Sequence, residues 1–187
     1  LKDGRTANAI LDSMSEGMSV VGDKYQKGEY YLPQVLLSAE VFNRSLAVIT
    51  PELKKNIQGG NAKGKVVVGC CEGDVHEIGK KLVATLVGAA GFEVYDLGKD
   101  VKLELFVDTA MEKGAQLIAM SALMTTTMEG MKTVVDMLEQ RGVKGKIKTM
   151  IGGAPITQEY AEKIGADAYG ATAQRGAELA VILTGAK

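Results

Sequence analysis

The residues of this chain best suited to chemistry are concentrated in one short stretch, Cys70-Cys71-Glu72-Gly73-Asp74-Val75-His76-Glu77-Ile78-Gly79-Lys80-Lys81. His76 is the single histidine among 187 residues, with Asp74 two positions before it and Gly79 three after. A ligating imidazole normally donates its other ring N–H to a carboxylate, which fixes the tautomer and raises ligand basicity. An aspartate two residues away in an extended loop can reach back to do that. A glycine at 79 removes a side chain where something bulky would approach. The spacing therefore suits a histidine presented to a metal. A plainer reading stands beside it: Asp74 caps the following helix and His76 is an ordinary loop residue.

Other chemistries fit this stretch poorly. A phosphate loop needs four residues between its glycines and a Ser or Thr after the Lys; Gly73 and Gly79 have five between them, and Lys81 follows Lys80. The dinucleotide fingerprint Gly-x-Gly-x-x-Gly is absent from it. Zinc held by Cys70, Cys71 and His76 would need adjacent cysteines, whereas structural sites space them two to four apart. The cysteines read better as small buried residues at a strand end. Adjacent cysteines also make a poor structural staple, which points to a reduced, cytoplasmic protein.

Two further segments carry polar or bare positions. Ser121-Ala122-Leu123-Met124-Thr125-Thr126-Thr127-Met128 places four hydroxyls within seven residues. One hydroxyl would serve as a cap for a helix starting near Met128; several suggest a ligand as well. Gly152-Gly153 in Ile151-Gly152-Gly153-Ala154-Pro155 either lets a ligand lie against backbone or makes a tight turn.

The elements that must position these residues show two patterns. Up to about residue 50 the apolar residues recur at helical spacing: Ala7, Ile10, Leu11, Met14, Met18, Val21 and Tyr25, then Leu32, Val35, Leu36, Ala39, Phe42, Leu46 and Ile49. Gly28 breaks the first helix, Pro33 suits the first turn of the second, and Pro51 is expected to end the second and open a short third. After a polar, glycine-rich linker at 58–65 the pattern becomes strand, turn, helix. Expected strands are Val66–Gly69, Glu93–Asp96, Gln116–Met120, Ile147–Ile151 and Ala168–Tyr169. Short apolar strands alternating with helices predict a five-stranded parallel sheet in flavodoxin-like, doubly wound order. Ligands of such folds bind at the carboxyl ends of the strands, where all three segments fall. The expected division is a helical domain over 1–60 and an α/β domain over 61–187.

Taken together, Asp74-x-His76-x-x-Gly79, Ser121-x-Leu123 and Gly152-Gly153 resemble the fingerprint of the cobalamin-binding domains of methionine synthase, methylmalonyl-CoA mutase and the small corrinoid proteins. The resemblance runs from about Lys65 to the C-terminus. It implies that His76 ligates cobalt in place of the cofactor's own benzimidazole and that Asp74 hydrogen-bonds its far nitrogen. Thr127 takes the place of the hydroxyl residue that meets that aspartate. Ser121 and Thr125 would contact the buried nucleotide tail, and Gly152, Gly153, Tyr169 and Gly170 would line its slot. The segment from Asp23 to Gln34 is similar to the helical cap of methionine synthase and of the methanol, methylamine and glycine betaine corrinoid carriers. There Tyr25 and Leu32 fall where an aromatic and a leucine shield the methyl group. Such caps usually have four helices, and the first is expected to be missing here, where the chain opens at Leu1.

The resemblance implies a methyl carrier: a corrinoid protein passing a methyl group from a substrate-specific methyltransferase to a second methyltransferase, with a pterin or thiol acceptor. A reductive activase would be a further partner, and catalysis by this chain alone is not expected. A subunit of an adenosylcobalamin-dependent mutase shares the fingerprint but lacks a cap of this kind. A cobalamin-based sensor would want a DNA-binding module with a basic face, and the net charge of −1 shows no basic excess to favour nucleic acid. A response-regulator receiver would carry an aspartate at the third strand end, where Met120-Ser121-Ala122 stands. No secretory signal is visible, and no apolar run approaches the roughly 20 residues of a membrane span.

Overall fold

The computed structural model describes residues 4–55 and 62–186. They form two compact units that divide near residue 58.

The first unit is a pair of helices, α1 (Ala7–Gln26) and α2 (Leu32–Lys55). The Thr6 hydroxyl accepts the Ala9 N–H at the start of α1, and Gly28 ends the helix in the left-handed region at φ 73°. Gln34 Oε1 accepts the Tyr31 N–H at 3.0 Å, which satisfies one free donor at the start of α2. Leu11, Phe42, Leu46 and Ile49 are buried, the apolar stripes expected of two packed helices.

Pro51 does not end the second helix; α2 continues through it to Lys55. A proline removes one N–H, here the donor for the Ala47 carbonyl. Ala47 and Pro51 are both exposed, so water can take that acceptor, and the Thr50 hydroxyl adds a bond to the Leu46 carbonyl at 2.7 Å.

The second unit is a parallel sheet of β1 (Lys65–Cys70), β2 (Glu93–Asp96), β3 (Leu117–Ser121), β4 (Lys148–Gly152) and β5 (Ala168–Tyr169). Its order is β2-β1-β3-β4-β5 with every pairing parallel, the flavodoxin-like arrangement. Val66, Val67 and Val68 are buried with no alternation, as a strand covered on both faces requires. The covering helices are α3 (Ile78–Ala89), α4 (Leu103–Lys113), α5 (Thr125–Gln140), α6 (Gln158–Ile164) and α7 (Ala173–Thr184). Helix α3 packs with α7, and α4 and α6 flank α5, so two helices cover one face and three the other.

The register brings Cys70, Ser121 and Gly152 side by side at the carboxyl edge, with Tyr169 beside Ile151. This row explains why β3 and β4 each start and end one residue later than the apolar runs suggested: the polar Ser121 and the bare Gly152 still pair. Helix α5 begins at Thr125 rather than near Met128.

Candidate functional site

Between β1 and β3 the chain leaves the sheet in opposite directions, and there Asp74 joins the two loops. Its carboxylate is fully buried and meets four donors. Oδ1 accepts the His76 backbone N–H at 2.9 Å and lies 2.9 Å from His76 Nδ1. Oδ2 accepts the Leu123 N–H at 2.6 Å and lies 2.9 Å from Thr127 Oγ1. Burial alone would push this carboxyl up, but the N–H groups of Leu123 and His76, the Thr127 hydroxyl and the His76 ring together hold it below the ordinary carboxylate range. Asp74 therefore stays ionised within the protein.

Asp74 does not cap α3. The residue before that helix is Glu77, with no side-chain cap bond. Nor does any hydroxyl of the 121–127 segment cap α5, whose preceding residue is Met124. Thr127 instead turns inward, its single hydroxyl proton shared between Asp74 Oδ2 and the Met124 carbonyl at 3.0 Å. The two cap readings fall away, and the hydroxyls are left for other work. Among the described residues, the Ser121 and Thr125 hydroxyls have no hydrogen-bond partner in the protein.

The His76 side chain is 45% exposed. With Nδ1 held by Asp74, Nε2 is the nitrogen left to face outward. Val75 and Leu123, in the two loops that Asp74 joins, are exposed apolar residues. An added Cβ at Gly79 would meet nothing within 4 Å, so no neighbour within the chain demands glycine there. At Gly153, φ is 128° and a Cβ would lie 1.8 Å from the Ala122 carbonyl oxygen; at Gly152 it would lie 2.8 Å from the Gly170 oxygen. These two glycines are required by the chain's own backbone. Gly170 donates its N–H to the Ile151 carbonyl, and Tyr169 packs partly buried against the core.

The α/β unit thus brings together Asp74, His76, Leu123 and Thr127 by direct bonds, and sets Gly79, Ser121, Thr125, Gly152, Gly153, Tyr169 and Gly170 along the same edge of the sheet. Tyr25 and Leu32 belong to the helical unit; Tyr25 is 50% exposed, and the Leu32 side chain lies outside the described residues.

Sequence reasoning missed three supports of the loop. Asp100, in the left-handed region at φ 52°, accepts the Gly73 N–H at 2.7 Å and donates its own N–H to the Asp74 carbonyl. Lys80 is buried and paired with Asp96. A signal for Lys80 was present: it falls in helical register with the partly buried Val83 and Ala84 and the buried Val87 of α3. Asp100 left none, because its partner is a backbone N–H.

The residues fit a large metal-centred cofactor: an outward imidazole nitrogen, a glycine with open space, unpaired hydroxyls, and a carboxylate that orients the ring. Cys70 and Cys71 are free, buried thiols, and among the described residues no cluster of His, Cys, Asp and Glu could hold a metal ion by itself. No described helix is long and apolar enough to cross a membrane.

Comparison with known proteins agrees with this chemistry. A family model described as a B12 binding domain matches residues 64–181, and a second B12 binding domain model matches residues 2–50. The trimethylamine corrinoid protein 1 of Methanosarcina mazei is 47% identical over 164 residues, covering 88% of this chain and 76% of that protein. The monomethylamine corrinoid protein structure from Methanosarcina barkeri superposes with a TM-score of 0.87 at 39% identity, over 97% of this chain and 86% of that one. The methanol:cobalamin methyltransferase complex from the same organism contains a chain matching at 31% identity and a TM-score of 0.64, over all of this chain and 70% of that one. With a matched domain, related sequences and a shared fold all in agreement, the chain belongs to the B12-binding corrinoid proteins that carry methyl groups in methyltransferase systems.

Proposed function

We propose that this chain holds cobalamin with His76 Nε2 as the lower ligand of cobalt, and carries the methyl group of a methylamine from a substrate-specific methyltransferase to a second methyltransferase. The observation that carries this reading is the Asp74–His76 pair: a fully buried, ionised carboxylate holding Nδ1 at 2.9 Å and leaving Nε2 outward. The methylamine class is supported by the tri- and monomethylamine corrinoid proteins named above. A reductive activase is a further partner, and two buried free thiols suit a reducing cytoplasm.

When bound, cobalamin supplies a cobalt centre able to accept and give up a methyl group. The protein's own part is to set the imidazole. Asp74 accepts the Nδ1 proton, so Nε2 is the basic nitrogen, and its basicity is raised by the carboxylate behind it. The ionised Asp74, 2.9 Å from Nδ1, would hold the orientation of the imidazole toward a bound cobalt. Thr127 would tune that hold: with its proton turned to the Met124 carbonyl, Asp74 loses a donor and pulls harder on the ring. The open space at Gly79 would admit a macrocycle, and the Ser121 and Thr125 hydroxyls would contact a nucleotide tail. The resemblance of the Asp23–Gln34 segment to the helical caps would assign Tyr25 and Leu32 to shielding a bound methyl group.

The single histidine makes the test direct. Protein labelled with nitrogen-15 histidine, loaded with cobalamin and reduced to cobalt(II), should show altered nitrogen hyperfine splitting in its electron paramagnetic resonance spectrum. A spectrum indifferent to the label sinks the His76 assignment.

A further inference from the structure

Lys80 is a cation in the first turn of α3, where it opposes the helix dipole, and its side chain is 1% exposed. A charge in such a place is costly unless paired. Its Nζ donates to both oxygens of Asp96, at 2.5 and 2.6 Å. Asp96 closes β2 and is itself 38% exposed, so this pair is anchored at the sheet edge and reaches inward to the helix.

The bonds continue from there back to His76. Asp96 Oδ1 accepts the Gly98 N–H at 2.9 Å, and the Gly98 carbonyl accepts the Cys70 N–H at 3.0 Å. The Cys70 thiol donates to the His76 carbonyl at 3.3 Å. From Cys70 the ring runs through Gly98, Asp96 and Lys80, then along the first turn of α3 to His76 and back. Asp74 turns the imidazole and also holds the His76 N–H; the circuit through Lys80 holds the other side of that backbone, at the His76 carbonyl and the first turn of α3. Only the Asp74 contacts involve the ring nitrogens.

We infer that Lys80 and Asp96 form a positioning pair for the proposed lower ligand, holding the first turn of α3, and with it His76, at the height from which the imidazole reaches cobalt. The inference rests on the reading of His76 as that ligand. Loss of the pair lets the turn rise or rotate while Asp74 still orients the ring. The cofactor then stays bound through its remaining contacts, with its histidine withdrawn.

The test uses the full chain loaded with cobalamin and reduced to cobalt(II), with nitrogen-15 histidine, as Lys80→Met and Asp96→Asn. Asp167→Asn is the control, since Asp167 accepts the Thr149 N–H at 2.8 Å and pairs with Lys148 near the opposite edge of the sheet. In Lys80→Met the ratio of histidine-ligated to unligated cobalt should fall about 10–100-fold, the usual effect of losing an outer partner of a metal ligand. Asp96→Asn keeps an acceptor oxygen and should give a smaller fall in the same direction; the control should lose thermal stability with the ratio unchanged. Should Lys80→Met fail to fold, Asp96→Asn decides alone. Wild-type ratios in the variants, with only their thermal midpoints lowered, overturn the inference. So does outright loss of cofactor from both with unchanged circular dichroism, because the pair would then support the cofactor's seat rather than the histidine. A wild-type spectrum without histidine splitting removes the His76 reading and the inference together.

Discussion

Gly79, in the first turn of α3, and Gly153, just past the end of β4, are glycines for opposite reasons. Beside Gly79 there is open space: a Cβ would meet nothing within 4 Å, and its backbone is ordinary helix. Glycine there costs about 0.5–1 kcal/mol relative to alanine, with no return inside the chain. At Gly153 the backbone turns to φ 128° and approaches the Ala122 carbonyl so closely that any side chain collides with it. Nothing within the chain asks for glycine at 79, whereas the fold itself asks for it at 153. A glycine in a binding motif therefore says little until its neighbours are known.

The largest effect should come from Gly153→Ala. Backbone strain of this kind costs on the order of 1–3 kcal/mol, and the collision with Ala122 adds to it. Urea denaturation of the cofactor-free protein should show a loss of at least ~3 kcal/mol, in the range reserved for core or backbone disruption. A variant as stable as wild type would erase the contrast and return Gly153 to the ligand's side. Loss of cobalamin in such a variant says nothing about a tail slot unless its stability is measured as well.

His76→Ala should come next, and it separates ligand loss from fold loss. The side chain is half exposed, and Asp74 keeps the Leu123, Thr127 and backbone position-76 donors, so the cofactor-free protein should unfold within ~1 kcal/mol of wild type. Cobalamin affinity should fall at least ~10-fold, with a shifted visible spectrum of the bound fraction. Equal affinity and an unchanged spectrum would mean that His76 merely borders the site.

Much of this was legible before any coordinates. Continuous apolar strands such as Val66–Val68 and helices of steady period fixed the sheet and its covering. The Asp74-x-His76 spacing announced the ring contact, because both partners lie in one loop. Other features were hidden by the kind of partner they have. Pro51 reads as a helix stop, yet a proline on an exposed face loses one acceptor to water and little else. Asp100 acts on a backbone N–H, which every residue type carries. The Lys80–Asp96 pair joins positions sixteen apart through the fold, so a cation after a motif glycine looked like part of a failed phosphate loop.

Gly79→Ala is a smaller effect with a sharper sign. Stability of the cofactor-free protein should rise by about 0.5–1 kcal/mol, the helix propensity gained, while cobalamin binding weakens because a methyl group enters the volume kept for the macrocycle. Opposite signs in the two measurements are the expectation. If both improve, Gly79 has no ligand to serve and the contrast with Gly153 loses its meaning.

The smallest effect concerns Cys70 and Cys71, which end β1 just ahead of the Asp74–His76 loop and report whether that loop is held shut. Burial pushes the Cys70 thiol up to about 11 and the Cys71 thiol up to about 12. Both are acids whose folded values lie above the ordinary thiol value of 9.0, so the folded chain binds their protons more tightly than the unfolded one. Their contribution to stability is complete below about pH 9 and is lost as pH rises toward 11 and 12. Cys70→Ala with Cys71→Ala should therefore flatten the alkaline slope of the stability curve above pH 9 and leave the slope below pH 9 unchanged, on top of a uniform loss from two truncated buried side chains. At pH 8 the native thiols are almost wholly neutral, and only the thiolate attacks, so a disulfide reagent should modify them slowly, at the pace of opening. Rapid modification of Cys70 under native conditions would show the loop opening readily. The open space beside Gly79 would then belong to a moving loop, whereas slow modification leaves it as a seat formed in advance of the cofactor.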